Sequence, residues 1–225
     1  DGYTVLLCGP ANAISGSLYP DLSFNFLRDI TPVAGVTREP LVLVVHPSVA
    51  AKSVQEFIAI AKANPAANKM ASTGVGSSPH VTGELFKQMA GLSLDVVHYG
   101  GGGPALKAMI AGEAQMMFEP MSASIEPVRS GKLRAIAVTG KLRNPAMPTV
   151  PTFEEFGLKT VDADTYWGIY APSGTPPAVL AALNRHFVSA MRNPAHAEKL
   201  AALGYLPIAN SSQDHTQQMQ VMIAR

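Results

Sequence analysis

Residues 96–105 combine the end of an apolar strand, a run of four glycines and a proline suited to the start of a helix. Pro104 follows the glycines at 100–103 and is expected to be the first helical residue, where its missing N–H costs nothing. Glycines let a ligand approach the bare backbone N–H groups at a helix N-terminus, and the helix dipole favours a negative charge there. The pattern therefore predicts an anion site that needs no lysine or serine side chain.

A second glycine-containing turn, at residues 74–80, has the sequence Gly-Val-Gly-Ser-Ser-Pro-His. It precedes a predicted helix, for which Ser78 is the expected N-cap and Pro79 the first helical residue. Ser77 has no such capping role, so its hydroxyl group is a candidate donor to an anion. If both turns follow strands of one parallel sheet, they lie at its carboxyl edge, where α/β proteins bind ligands.

The glycine turn at 100–103 has two other interpretations. The spacing of Gly100, Gly102 and Ala105 fits a loose dinucleotide-binding fingerprint. Glu119 falls near the end of the next strand, about where a ribose-binding acid would lie, so an NAD(P)-binding oxidoreductase is an alternative function. Against it, a glycine soon interrupts the following helix, and several strand–helix units precede the turn. A tight turn that binds nothing is the remaining interpretation, although four consecutive glycines cost conformational entropy.

Signatures of hydrolytic and metal chemistry are weak. The sequence contains no Gly-x-Ser-x-Gly nucleophile elbow and no His-Glu-x-x-His motif. Ser77 and His80 are close in sequence, but that spacing does not place a nucleophile beside a base. His80 and Glu84 share a helix face, where an ordinary surface pair is the more frequent arrangement. Hydrolytic and metal-dependent chemistry are therefore not expected, whereas the NAD(P)-binding alternative stays open at this point.

Composition excludes several classes of partner. The 225 residues are 47% hydrophobic with a net charge of +1, which suits a globular protein with a substantial core. Lysines and arginines form no basic stripe, so nucleic acid is not an expected partner, and no apolar run reaches membrane-spanning length. The single cysteine, Cys8, excludes an internal disulfide and is expected to be buried and inert.

Strand and helix patterns alternate along the chain, which predicts an α/β fold with largely parallel sheets. Capping patterns at Ser53 and Glu56, at Thr152 and Glu155, and at Ser211 mark three helix starts. The stretch between the first strand and Pro32 is polar and interrupted by prolines, and it is expected to be irregular. Strands are expected at 3–8, 41–45, 69–72, 96–97, 115–118, 133–138 and 166–171.

The chain resembles the Bug family, the periplasmic substrate-binding proteins of tripartite tricarboxylate transporters. The resemblance runs through the whole chain in order, which makes it specific. The matching segments are Asp-Gly-Tyr-Thr-Val-Leu-Leu at 1–7, Leu-Arg-Asp at 27–29, Pro-Val-Ala at 32–34, Val-Val-His-Pro-Ser-Val at 44–49, Ala-Ser-Thr-Gly-Val-Gly-Ser at 71–77, Gly-Lys-Leu-Arg-Ala-Ile-Ala-Val at 131–138 and Ala-Pro-Ser-Gly-Thr-Pro at 171–176.

This resemblance implies a two-domain, type II periplasmic binding protein-like clamp that closes on a small organic acid and serves cognate membrane transporter subunits. It also implies a binding protein rather than an enzyme, with no metal and no cofactor. The first domain would comprise 1–39 and 167–225, and the second 40–166. Acids known for the family include di- and tricarboxylates, acidic amino acids and aromatic acids. The expected ligand contacts are Tyr99, Gly100, Gly101, Gly102, Gly103 and Ala105 in one loop, Ser77, Ser78 and His80 in its neighbour, Pro10, Ala11 and Asn12 in a first-domain loop, and Glu119 and Asp164 at the far end of the ligand.

The sequence departs from the family pattern in three ways. His98 replaces the usual proline, and Gly101 replaces the usual lysine, so the turn loses a positive charge. The chain opens Asp-Gly-Tyr, without Met or a signal peptide, and lacks the family's first strand–helix stretch with its Pro-x-x-x-Gly-Gly loop. We therefore expect an N-terminally truncated first domain, weak binding, and a periplasmic location whose signal peptide lies outside this chain.

Overall fold

The computed structural model describes residues 2–158 and 163–223. In chain order its strands are β1 Leu6–Cys8, β2 Ile30–Val45, β3 Met70–Ser72, β4 Val96–His98, β5 Met116–Pro120, β6 Arg134–Val138, β7 Asp164–Pro172 and β8 Leu206–Pro207. Its α-helices are α1 Pro10–Leu18, α2 Phe26–Asp29, α3 Val54–Ala63, α4 Ser78–Ala90, α5 Gly102–Ala111, α6 Met121–Arg129, α7 Pro177–Met191, α8 Pro194–Ala202 and α9 Ser212–Ile223. Short 3₁₀ helices lie at Pro65–Ala67 and Glu154–Phe156.

The chain divides into two compact units. One comprises Asp1–Arg38 and Thr165–Arg225, and the other comprises Glu39–Asp164. The chain passes from one unit to the other inside β2 and returns at the start of β7. Among the described residues, no helix combines the length and the apolar character that a bilayer span requires.

The sheet of the unit Glu39–Asp164 is mixed rather than largely parallel, which corrects the sequence-based expectation. Strand β3 pairs in parallel with β4 and β5, but β2 runs antiparallel to both β5 and β6. The expectation rested on the alternation of strand and helix patterns, and the continuous apolar run Leu-Val-Leu-Val-Val at 41–45, which is fully buried, did not contradict it. Such a run shows that helices cover both faces of a strand, but it carries no information about the direction of the neighbouring strands.

Two apolar layers cover the two faces of this sheet. Phe57 of α3 and Phe86 of α4 pack with Phe118 of β5 on one face. Met109 of α5 and the helix α6 pack with Met117 of β5 on the other face. Because side chains alternate along a strand, Glu119 shares the face of Met117 and points towards α5 and α6.

The unit Asp1–Arg38 with Thr165–Arg225 is built on the strand order β1-β7-β2, with β8 paired to β2 at Thr37 and Arg38. The stretch expected to be irregular contains helix α1, which begins at Pro10 after the N-cap Gly9. Strand β2 also begins at Ile30, well before the expected start, because its internal prolines hid it from a pattern-based reading.

A histidine is buried in the core of this unit. His215 of α9 is 2% exposed and packs beside Gly35 and Gly168, and a Cβ atom on Gly168 would overlap its ring. Burial lowers the pKa of His215 to about 4, so the ring is neutral at physiological pH.

Three of the capping predictions are confirmed. The Ser53 hydroxyl accepts from the Glu56 N–H at 3.2 Å, and the Ser211 hydroxyl accepts from the Asp214 N–H at 3.1 Å. Thr152 and Glu155 form a reciprocal pair, with the Glu155 N–H donating to the Thr152 hydroxyl and the Thr152 N–H donating to the Glu155 carboxylate.

Candidate functional site

Three helices begin at one edge of the sheet in the unit Glu39–Asp164. Parallel pairing places Met70 of β3 opposite Val96 of β4 and Met116 of β5, so the carboxyl ends of these strands lie side by side. The strands lead into α4, α5 and α6 respectively. The positive ends of three helix dipoles therefore lie along this edge, where an anion is favoured.

The glycine turn forms the start of α5. Gly101 is the N-cap with φ 132° and ψ 178°, a conformation open to glycine and strained for other residues. Pro104 is the third helical residue rather than the first, so its expected position was wrong by two residues, although it still lies in the first turn where a proline costs no hydrogen bond. The Ala105 N–H donates to the Gly101 carbonyl at 3.2 Å.

This geometry leaves the N–H groups of Gly102 and Gly103 as the donors of the first turn of α5, since these groups have no acceptor within the helix. A Cβ atom built on Gly100, Gly101 or Gly103 would meet no other atom within 4 Å. Gly102 and Gly103 are also exposed, so a ligand can approach their backbone donors closely.

The neighbouring turn caps α4 with Ser77, not with Ser78 as expected. The Ser77 hydroxyl accepts from the His80 N–H at 3.3 Å and donates to the Gly74 carbonyl at 2.8 Å. The expectation failed because Pro79 is the second helical residue rather than the first, which moves the cap one residue earlier. The Ser77 hydroxyl is thus engaged within the loop, and the N–H of Ser78, the first helical residue, has no acceptor within the helix and remains a candidate donor.

The two turns contact each other. The Tyr99 N–H donates to the Ser72 carbonyl at 2.9 Å, and a Cβ atom on Gly74 would lie 3.7 Å from the Tyr99 carbonyl oxygen. Ser72 is fully buried, and its hydroxyl lies 3.2 Å from Nδ1 of His98. Sequence reasoning missed Ser72 because only the pairing of β3 with β4 brings it beneath both turns.

His80 and His98 form a contact between these turns. Their rings are 4.8 Å apart and nearly perpendicular, and the Gly76 N–H donates to Nδ1 of His80 at 3.2 Å. Burial and the nearby His98 lower the pKa of His80, which favours the neutral ring. Glu84 pairs with Lys87 at 2.9 Å, and the described part of the chain contains no cluster of three or more metal-ligating side chains.

Two buried carboxyl groups lie at the same sheet edge. Glu39 of β2 is 1% exposed, and its carboxylate accepts from the Ser122 N–H in the first turn of α6 at 2.8 Å. Glu119 of β5 is 2% exposed, and its Oε1 atom lies 3.9 Å from the position of a Cβ atom on Gly102. Burial, and then the nearby Glu39, raise the pKa of Glu119 to about 8. Glu39 was not predicted, although an acid directly before a fully buried strand is an unusual sequence feature.

The remaining predicted residues are Asp164 in the same unit and three residues of the other unit. Asp164 is half-buried at the start of β7, and its Oδ1 atom is 3.7 Å from the position of a Cβ atom on Gly140. Pro10, Ala11 and Asn12 belong to the other unit, where they form the first turn of α1 rather than the expected loop. The loop was what the family resemblance implied, whereas in the structure Gly9 is the N-cap and Pro10 is the first helical residue.

Comparison with known proteins assigns the chain to a family. A model of the family described as "Tripartite tricarboxylate transporter family receptor" matches residues 1–225. The chain belongs to this family. The α/β fold expected for a periplasmic binding protein is confirmed by solved structures.

Two relatives are similar to this chain over most of its length. BugT of Bordetella pertussis is 36% identical over 210 residues, which cover 92% of this chain and 64% of BugT. The UPF0065 protein of the tcbD-tcbE intergenic region of Pseudomonas sp. (strain P51) is 32% identical over 205 residues, which cover 91% of this chain and 61% of that protein. The chain thus spans less than two thirds of the length of these two relatives.

Two solved structures carry the names of carboxylate ligands. R. palustris Rpa4515 with adipate matches with a TM-score of 0.95 and 29% identity, covering all of this chain and 76% of Rpa4515. MatC (Rpa3494) from Rhodopseudomonas palustris with bound malate matches with a TM-score of 0.92 and 28% identity, covering all of this chain and 78% of MatC. The dinucleotide-binding alternative has no support among these neighbours.

Proposed function

We propose that this protein is a solute receptor that captures a small carboxylate in the periplasm for a tripartite tricarboxylate transporter. The observation that carries the proposal is the first turn of α5, where the exposed residues Gly102 and Gly103 offer two backbone N–H groups that the helix does not use. The family match and the adipate and malate in the names of two structural neighbours support a carboxylate as the anion.

The same unit already contains a carboxylate bound at a helix N-terminus. The Glu39 carboxylate accepts from the Ser122 N–H at the start of α6, and α5 begins at the same edge of the sheet. A ligand carboxylate at α5 would use the same chemistry, with charge-assisted hydrogen bonds from the Gly102 and Gly103 N–H groups. The Ser78 N–H at the start of α4 offers one further donor, and no covalent step is required of any residue.

The remaining expectations for the ligand extend this proposal. Asp164 would contact a polar group at the far end of the acid. In the other unit, the first turn of α1 at Pro10, Ala11 and Asn12 is a further helix N-terminus suited to an anion. Capture is a binding equilibrium, so a ligand that favours one arrangement of the protein shifts its population towards that arrangement.

Thermal unfolding in the presence of mono-, di- and tricarboxylic acids tests the proposal. At least one acid should raise the melting temperature saturably, because a ligand at 100 times its Kd stabilises the folded state by about 2.7 kcal/mol. The corresponding amides of these acids have nearly the same shape without the charge, and they serve as controls that should not change the melting temperature. If no acid stabilises the protein, or if NADH alone does so saturably, the proposal is wrong.

A further inference from the structure

The Glu119 carboxyl group is the least compensated polar group near the glycine turn. It is 2% exposed on the face of the sheet that α5 and α6 cover with apolar side chains. Its Oε2 atom is buried and has no hydrogen-bond partner among the described residues, which also provide no ion pair to Glu119. A buried acceptor or donor without a partner costs free energy, so its retention beside a candidate ligand site needs an explanation.

The carboxyl group is directed at the start of α5. Its Oε1 atom is 3.9 Å from the position of a Cβ atom on Gly102, the first residue of that helix. With an N–Cβ separation of about 2.5 Å and a hydrogen bond of about 2.9 Å, a ligand oxygen on the Gly102 N–H lies at most about 9 Å from Oε1 of Glu119, and a separation near 6 Å falls within that limit. Both groups would face the positive end of the same helix dipole.

Few charged groups face Glu119. The first turns of α5 and α6 contain no acidic side chain, and the first turn of α5 consists of glycines, a proline and an alanine. From β2, the facing titratable group is Glu39, whose carboxylate is bound to the Ser122 N–H. The His80–His98 pair lies at the neighbouring turn. Glu119 therefore has an acid as its nearest titratable neighbour.

We propose that Glu119 determines what this site accepts, because an anionic group docks on Gly102 and Gly103 far more tightly while the Glu119 carboxyl group holds a proton. This inference rests on the proposed function, since it concerns the same carboxylate site. An ionised Glu119 repels the ligand and competes with it for the helix N-terminus. A protonated Glu119 removes that repulsion and supplies an O–H donor to a ligand oxygen.

Proton uptake is the consequence for binding. Two charges about 6 Å apart at an effective dielectric constant near 20 change an affinity by about a hundredfold. Because the pKa of Glu119 is raised to about 8, its carboxyl group is largely protonated in the ligand-free protein at neutral pH and becomes ionised above pH 8. Ligand binding above that pH must transfer one proton from solvent to the Glu119 carboxyl group, and the affinity for the acid must fall as the pH rises.

Calorimetric titration with adipate and with malate between pH 6.5 and pH 9.5 tests this inference. The wild-type Kd should rise about tenfold per pH unit above pH 8, towards a total of about a hundredfold. Near pH 9, titrations in buffers of different ionisation enthalpy should show close to one proton taken up per ligand. The isosteric substitution Glu119→Gln should make the affinity nearly independent of pH, and Glu113→Gln, at an exposed glutamate, should leave the profile unchanged.

The outcomes separate the two proposals. Binding of either acid without pH dependence, or with the same dependence in Glu119→Gln, overturns the role of Glu119 and leaves the carboxylate receptor intact. If Glu119→Gln does not fold, the proton count measured on the unaltered protein decides the question. If neither adipate nor malate binds at any pH, and the wider acid panel also fails, the receptor proposal and the role of Glu119 both fall.

Discussion

Replacing Gly102 with proline removes one backbone donor from the glycine turn with little other change. Gly102 is the first residue of α5, a position where proline is favoured because the N–H is not used by the helix. The preceding Gly101 has an extended ψ of 178°, which a following proline tolerates. A Cβ atom at position 102 would come no closer than 3.9 Å to another residue, and that neighbour is Oε1 of Glu119.

The matched control is Gly102→Ala, which adds the same Cβ atom and keeps the N–H group. A hydrogen bond to a charged group contributes about 1.5–3 kcal/mol, so Gly102→Pro should raise the Kd for the bound carboxylate about 10- to 150-fold relative to Gly102→Ala. Calorimetry gives the two affinities, and circular dichroism with thermal unfolding shows that both variants keep the fold. If both substitutions leave Kd within about threefold of each other, the Gly102 N–H does not bind the ligand, and the anion-turn reasoning is refuted.

Three further predictions concern stability, measured by urea unfolding. The folded-state pKa of Glu119, about 8, lies above its unfolded value, so the folded state holds the extra proton and stability falls as the pH rises from about 4.5 to 8. Glu119→Gln should therefore remove a cost of about 3 kcal/mol at pH 7 and have little effect near pH 4.5. An equal effect at both pH values would contradict the reasoning. The folded-state pKa of His215, about 4, lies below its unfolded value of about 6.5, so the unfolded state binds the extra proton. About 3 kcal/mol of stability should therefore be lost as the pH falls from about 6.5 to 4. Measurement in a Glu119→Gln background separates the contribution of His215 from that of Glu119, and a stability that does not change with pH would show that the ring is not buried as described. Ser77→Ala should destabilise the protein by about 1 kcal/mol through loss of the α4 cap, with Ser78→Ala clearly less harmful, and the reverse order would restore Ser78 as the cap.

Local patterns were sufficient to predict the turns that form the candidate site. Glycines next to a strand end, a nearby proline and a serine before it each have a local physical meaning, and all lie at the carboxyl edge of parallel strands as expected. The offsets at Pro104 and Ser78 arose because proline suits every position of a first helical turn, so it marks a helix start to within about two residues.

The carboxyl groups beneath the turn depend on long-range pairing. Glu119 meets Glu39 because β5 pairs antiparallel with β2, in a register that places Glu119 opposite Val42. Neither the direction nor the register of that pairing is encoded in a continuous apolar run. The position of Glu119 near the end of its strand was predictable, but its burial and its contact with the start of α5 were not.

A titration followed by nuclear magnetic resonance locates the bound acid. In a ¹⁵N-labelled sample, saturating adipate or malate should shift the backbone amide signals of Gly102 and Gly103 downfield, because hydrogen bonds to a carboxylate deshield the amide protons. The amide signal of Gly131, which lies in an exposed turn elsewhere in the same unit, should remain in place. Saturable shifts at Gly102 and Gly103 are the predicted result, and an acid that binds while both signals stay unmoved would contradict a carboxylate site on the glycine turn.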